Sequence, residues 1–349
     1  MSKKLNEKVK SNQLSRQDLT RHVGHMDQIA GIKFLQGADG VERGVRVLKV
    51  WTGSGLTYDV LADRGLDIST CQYNGLSLTW RSPIGDAHPT YYDASGDAWL
   101  RSFQGGMMVT CGLDTFGPPS VDNGEELGQH GRASNLPAQY LNYEVGWEDD
   151  SYMLRISGET RQIKVYRENL LLKRTITSWM GSNKIQINDT IINEGYKSHP
   201  HMILYDFNIG YPFLCEDSRL KLDVLSTSPF DEIAESEMDE WMIFQPPTPD
   251  YQERDYIHKP EPDADGWANA VLENPNLDLA VKLSFDQTNL PYLAEWKMMG
   301  EGLYVLALQP MNCGVWGGRA KVREENALPF LEPGERRDYQ LELEVLESC

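Results

Sequence analysis

From Gly44 onward the chain is written with a period of two. Val45-Arg46-Val47-Leu48-Lys49-Val50 alternates, Gly53-Ser54-Gly55 turns the chain, and Leu56 to Ala62 sets out again. Tyr140–Trp147, Tyr152–Gly158, Gln162–Tyr166, Leu170–Trp179 and Lys184–Asn193 follow, with breaks such as Glu148-Asp149-Asp150-Ser151 and Gly181-Ser182-Asn183. Tyr339 to Val345 alternates once more near the end. Successive side chains of a strand point to opposite faces, so this period describes half-buried strands. Strands so closely spaced, joined by short turns, pair as an antiparallel meander. No strand–helix–strand rhythm is present, which argues against doubly wound sheets and α/β barrels. The expected fold class is all-β, a sandwich of packed sheets. A sandwich of 349 residues often runs as one unit, and a single domain is expected over 36–349.

Residues 1–35 differ. Ser15-Arg16-Gln17-Asp18 is written like a capping box, and Leu19, Val23 and Met26 follow at helical spacing. The expectation is a short N-terminal helical extension, packed across the sandwich or used in a homo-oligomer contact. His22 and His25 fall on it, as solvated residues of its polar face. Two further segments read as long loops: 82–135, rich in Gly, Pro, Asp and Tyr, and 215–267, dense in acid and proline. Long loops in compact domains are usually functional or disordered. The first carries histidine and arginine and reads as site-forming. The second reads equally as a rim, a lid, an interface or an acidic surface insertion.

Composition narrows the partners. The hydrophobic fraction of 40% supports a substantial core, and the formal charge of −19 opposes nucleic acid or an anionic membrane as a partner. The five cysteines (Cys71, Cys111, Cys215, Cys313 and Cys349) show no CxxC spacing, so neither a disulfide framework nor a thiolate zinc site is expected. Free thiols, and the lack of an apolar run behind the lysine-rich start Met1 to Lys10, point to the cytoplasm. No phosphate-binding loop, dinucleotide fingerprint or HExxH motif occurs, so no cofactor is expected.

What remains is polar residues in unusual contexts. His130, in Gly128-Gln129-His130-Gly131-Arg132, sits in a loop with its ring free to face a cavity, and Arg132 beside it is a fork donor for hydroxyls or an anion. In Met202 to Gly210, Met202, Leu204, Asp206 and Asn208 share one strand face. Asp206 and Asn208 interrupt that apolar face, so the carboxylate needs a partner or a wet cleft. His199 and His201 share the opposite register and could chelate a metal, though no third ligand is evident nearby. Gln309 ends the apolar run Leu303 to Leu308, either capping backbone groups or facing a ligand. Arg64, between Asp63 and Asp67, reads as a buried salt-bridge device or a ligand clamp. Arg319 and Arg323 form the densest basic cluster, either a solvated face or a site wall.

Taken in order, Asp63-Arg64-Gly65-Leu66-Asp67-Ile68, Thr110-Cys111-Gly112-Leu113, His130-Gly131-Arg132, Tyr205 to Pro212, Leu308-Gln309-Pro310 and Leu331-Glu332-Pro333-Gly334-Glu335 resemble the aldose 1-epimerase (galactose mutarotase-like) superfamily, in particular its DUF4432 branch. The resemblance covers Gly44 to Val345. It implies a β-supersandwich with a site on the concave face of the larger sheet, and a small carbohydrate as partner. It also implies acid–base opening and closure of the sugar ring, with His130 matching the family's sugar-contacting histidine. Two positions depart from the pattern: Gln309 stands where a glutamate is expected, and Asp206 where a histidine is expected. A carboxamide cannot act as a general base. The expected assignment exchanges the roles, with Asp206 as base, His130 as acid and Gln309 as a hydroxyl-binding donor. Arg64, Asp67, Arg132, Asn208, Arg319 and Arg323 are the expected substrate-binding residues. The alternatives are a sugar-binding or sensing protein without catalysis, another sugar isomerase or epimerase, and a metal-assisted sugar isomerase or lyase using His130, His199 and His201.

Overall fold

The computed structural model describes residues 16–347. Three antiparallel sheets organise them. A five-stranded sheet runs Gly31–Gln36, Arg46–Trp51, Leu56–Leu61, Asp67–Tyr73, Leu76–Ser77. An eight-stranded sheet is ordered Arg219–Leu222, Trp267–Asn274, Leu279–Asp286, Arg336–Glu347, Lys184–Asn193, Asn169–Trp179, Ser151–Ile163, Gln139–Glu148. A six-stranded sheet is ordered Val224–Pro229, Arg254–Pro260, Tyr292–Gly300, Leu303–Met311, Met202–Gly210, Val109–Leu113. Bridges at Ile68–Met108 and Thr79–Ile209 join the five- and six-stranded sheets.

The period of two becomes burial. Lys184–Asn193 buries every second residue, and its Ile185, Ile187 and Ile191 meet Val50, Tyr58 and Ile68 of the five-stranded sheet and Ile203, Tyr205 and Phe207 of the six-stranded sheet in one core. Each fully buried Ile or Phe there contributes about 1.5–3 kcal/mol. The six-stranded sheet carries a second apolar layer on its other face, including Val109, Cys111, Met202, Leu204, Val305 and Met311. Covered on both faces, Met202–Gly210 is buried throughout. That is why its sequence, and that of Leu303–Met311, reads as a continuous apolar run rather than an alternation.

Several boundaries differ from the sequence reading. The N-terminal helix is one short stretch, Arg16–Thr20, with Leu19 buried; Ser15 of the capping box lies outside the described residues. Gly31–Gln36 crosses the expected boundary at residue 35 and pairs with Arg46–Trp51. Tyr152–Gly158 extends into one strand, Ser151–Ile163, that takes in only Gln162 and Ile163 of the expected Gln162–Tyr166, whose remainder forms a turn; its register against Gln139–Glu148 shifts between Ser157 and Glu159. A bulge absorbs an irregularity without ending a strand. The segment 215–267 holds strands Arg219–Leu222, Val224–Pro229 and Arg254–Pro260 and the helix Glu232–Ser236. Arg219–Leu222 and Val224–Pro229 are sheet edges, where charge and proline are tolerated, so their composition mimics a loop. Cys71, Cys111, Cys215 and Cys313 are free; Cys349 lies outside the described residues. Among the described residues no helix is long and apolar enough to cross a membrane.

Candidate functional site

The side of the six-stranded sheet that carries the second apolar layer holds a cleft of about 350 Å³. Its floor is Asp206, Gln309, Trp296 and Asp255, one from each of four adjacent strands. Neighbouring strands lie about 4.8 Å apart, so the floor spans roughly 14 Å from the Asp206 strand to the Asp255 strand. Both long segments build walls: Trp99, Phe103 and His130 from the first, Phe230 and Glu253 from the second. Trp316 closes the side next to His130, with ring centroids 6.2 Å apart.

Asp206 is buried, at 3% exposure, and its Oδ1 accepts a 2.8 Å hydrogen bond from Gln309 Nε2. Burial pushes its carboxyl up to about 6, against the hydrogen bonds from Gln309 and Asn208 that favour the charged form. Gln309 Oε1 is buried and has no hydrogen-bond partner among the described residues. The carboxamide therefore spends its donor on Asp206 and keeps an acceptor for a ligand.

His130 has φ = +56°, a region that non-glycine residues rarely adopt. Its neighbour makes that turn feasible: a Cβ on Gly131 would lie 2.4 Å from the Gly112 carbonyl oxygen. The backbone is pinned by bonds from Gly112 N–H to His130 O (2.9 Å) and from His130 N–H to Gly117 O (3.0 Å). The Gly117 N–H also donates to Nδ1 at 3.4 Å, which leaves the ring proton on Nε2. Trp99 packs against the ring at 4.6 Å between centroids. Burial lowers the imidazole pKa to about 4, so at neutral pH His130 is an uncharged hydrogen-bond donor. Its Nε2–H is a donor on the wall of the cleft.

Asp255 is the feature that sequence reasoning missed. Burial, followed by the carboxylates of Glu253, Asp231 and Glu295, pushes it up to about 8. Glu253 accepts a bond from Trp296 Nε1 at 2.9 Å. The only signal was the alternation around Arg254-Asp255-Tyr256-Ile257 inside an apparent loop. The cleft tryptophans Trp99, Trp296 and Trp316 were also unflagged, because aromatic residues serve cores as often as ligands.

The expected binding residues divide sharply. His130, Asp206 and Gln309 meet in the cleft, whereas Arg64, Asp67, Asn208, Arg132, Arg319 and Arg323 do not line it. Arg64 is fully buried and donates to the carbonyls of Ser134, Ala87 and Ser102 and to Gln104 Oε1. It fastens the segment that carries Trp99 and His130. Asp67 accepts from Thr110 and from Arg174, which is itself bidentate on Asp189. Tyr205 O–H donates to the same Asp189. This network links all three sheets. Asn208, on the same strand face as Asp206, is fully buried and its Nδ2 donates to the carbonyls of Gly106 and Asp206. Arg132 is exposed and faces a separate cavity on the far side of its loop. Arg319, on the helix Gly318–Glu324, pairs with Asp114, Asp122 and Glu125, and Arg323 pairs with Asp122. These arginines clamp the wall from outside.

The histidines of the metal reading are separated too. His201 contacts Leu113 O and Tyr339 O–H, while His199 lies 3.5 Å from Asp114. Among the described residues no group of three or more His, Cys, Asp or Glu is placed to hold a metal.

The family model described as "Domain of unknown function (DUF4432)" matches residues 42–345. The chain belongs to the DUF4432 family. No curated protein matches it. Among solved structures, this DUF4432 chain is similar to a "putative aldose 1-epimerase" from Klebsiella pneumoniae, with 27% identity, a TM-score of 0.85, and coverage of 93% of this chain and 86% of that one. A galactose mutarotase-like protein from Clostridium acetobutylicum gives 13% identity and a TM-score of 0.64, covering 92% and 99%. A galactose 1-epimerase from Lactobacillus acidophilus gives 10% identity and a TM-score of 0.60, covering 92% and 100%. The last two show the fold alone: the DUF4432 chain is a galactose-mutarotase-like β-sandwich.

Proposed function

We propose that the cleft interconverts forms of a sugar, as an aldose 1-epimerase-like isomerase. The observation that carries this reading is the convergence of Asp206, Gln309 and His130, three of the nine-tenths-buried polar residues, on one aromatic-lined cavity. Asp206, ionised above about pH 6, takes the proton from the anomeric hydroxyl. The C1–O5 bond breaks and the electron pair of that bond stays on O5. O1 and O5 share C1, so the same carboxyl group returns the proton to O5, leaving an open aldehyde. Rotation about C1–C2 and the reverse steps give the other anomer. His130 Nε2–H stabilises the charge that develops on O5, and Gln309 orients Asp206 while its Oε1 accepts from a hydroxyl.

Anomer-exchange NMR on a panel of aldoses tests this. Asp206→Asn is expected to reduce the catalysed rate by about 10²–10⁴-fold. Unchanged rates in both Asp206→Asn and His130→Ala would refute the assignment. Gln309 supports a second reading, a sugar-binding protein without turnover, because a carboxamide holds the place of a base. A sugar-induced rise in melting temperature without anomer exchange would favour it. We also propose a cytoplasmic setting, which the free cysteines Cys71, Cys111 and Cys313 fit.

A further inference from the structure

The two ends of the cleft floor differ in what they offer a ligand. At one end Asp206 is already held by Gln309, with His130 above. At the other, Asp255 and Glu253 stand with Trp296 and Phe230. No lysine or arginine lines the cavity. The cations of the neighbouring strand positions are engaged elsewhere: Lys297 donates to the carbonyls of Glu240 and Ile243, and Arg254 pairs with Glu237.

The Asp255 carboxylate has no hydrogen bond or ion pair among the described residues, although the backbone carbonyl accepts from Phe230 N–H, and every influence on that carboxylate opposes its charge: burial, then Glu253, Asp231 and Glu295. A ligand hydroxyl would satisfy one oxygen and leave that repulsion standing. An ammonium would satisfy the oxygen and cancel the repulsion together, and charge-assisted bonds are roughly twice as strong as neutral ones. A phosphate or carboxylate would meet repulsion with no compensating cation. The buried, unpartnered Oε1 of Gln309 independently marks the same cavity as built for a hydrogen-bonding ligand. The aromatic side chains at both ends supply flat surfaces against which a sugar ring or a cation packs.

We propose that the ligand of this cleft is an aminated sugar, whose ammonium group, at the end of the ring remote from C1, sits on Asp255 and Glu253. The placement of C1 at Asp206 rests on the isomerase reading above; the charge preference does not.

Titration calorimetry on the full chain tests it with three hexose forms: the 4-amino-4-deoxy or 6-amino-6-deoxy sugar, the parent hexose, and the 6-phosphate, in the gluco and galacto series. The amino sugar is expected to bind about tenfold or more tighter than its parent, and the phosphate more weakly than either. In Asp255→Asn the amino-to-parent ratio is expected to fall to about 1–2. Glu253→Gln, at an exposed position that tolerates change, is expected to lower the same ratio by a smaller factor. A parent hexose that binds as tightly as the amino sugar, a phosphate that binds as well, or a ratio that survives both substitutions would overturn the proposal. Accelerated anomer exchange of parent hexoses without an amino preference would sink this proposal alone. An amino preference without any exchange would leave it standing and sink the isomerase reading.

Discussion

Two groups of acidic side chains lie within this molecule, and they behave in opposite ways. The network of Asp67, Arg174 and Asp189 is closed: Arg174 is 1% exposed, both carboxylates are fully buried, and each acid has the guanidinium plus a hydroxyl donor from Thr110 or Tyr205. The carboxylates of the cleft floor are open. Among the described residues, the buried Asp206 has an amide and no cation, and the carboxylate of the half-buried Asp255 has neither. A buried ion with complete partners joins pieces of architecture, here three sheets. A buried ion without them is a standing cost that a ligand can relieve. The chemical type of the residue does not separate the two groups; the completeness of its partners does.

Removing one member from each group sharpens the contrast. Arg174→Met strands two buried carboxylates and is expected to cost about 3–5 kcal/mol in denaturant unfolding. A loss below about 1 kcal/mol would mean that the network is not what holds the sheets together. His130 and His201 come next. Burial lowers both to about 4 in the folded state, against about 6.5 unfolded. A depressed pKa of this kind contributes stability above about 6.5 that is lost as pH falls through about 4, roughly 3 kcal/mol per residue at most. Urea midpoints should therefore fall between pH 6.5 and 4, and His130→Gln should reduce the slope.

Asp206→Asn has the opposite sign from Arg174→Met. A carboxyl raised to about 6 favours the fold below its unfolded pKa of about 3.9 and loses that contribution as pH rises through about 6. At pH 8 the Asn variant is expected to be more stable than the parent by about 1–3 kcal/mol, with the gain gone by pH 4 and the exchange activity gone throughout. A destabilised variant at pH 8 would place Asp206 with the architectural charges. The smallest effect is expected at Arg132: exposed and outside the cleft, its replacement by Ala should change stability by less than about 0.5 kcal/mol and leave sugar binding intact.

The candidate site was partly legible in the sequence for a related reason. Asp206 and Gln309 were visible because each breaks an apolar strand, and His130 because Gly131 follows it in a loop. Arg64, Asp67, Arg319 and Arg323 read like a site because their partners are distant in the chain. Arg174 is 107 residues from Asp67, and Arg319 is 197 from Asp122. A sequence exposes an unusual residue but not the partner that explains it. Asp255 failed in the other direction: in an acidic segment it looks ordinary, and only the sheet order brings its strand to the cleft.

Local alternation, then, determined the all-β class and most of the strands, because side-chain direction in a strand depends on near neighbours alone. The tertiary structure decided which charges are satisfied. That depends on pairings across three sheets and two long segments, and no local pattern encodes it. From the same set of acids and arginines it made a closed joint of Asp67 and Arg174, and an open cleft of Asp206 and Asp255.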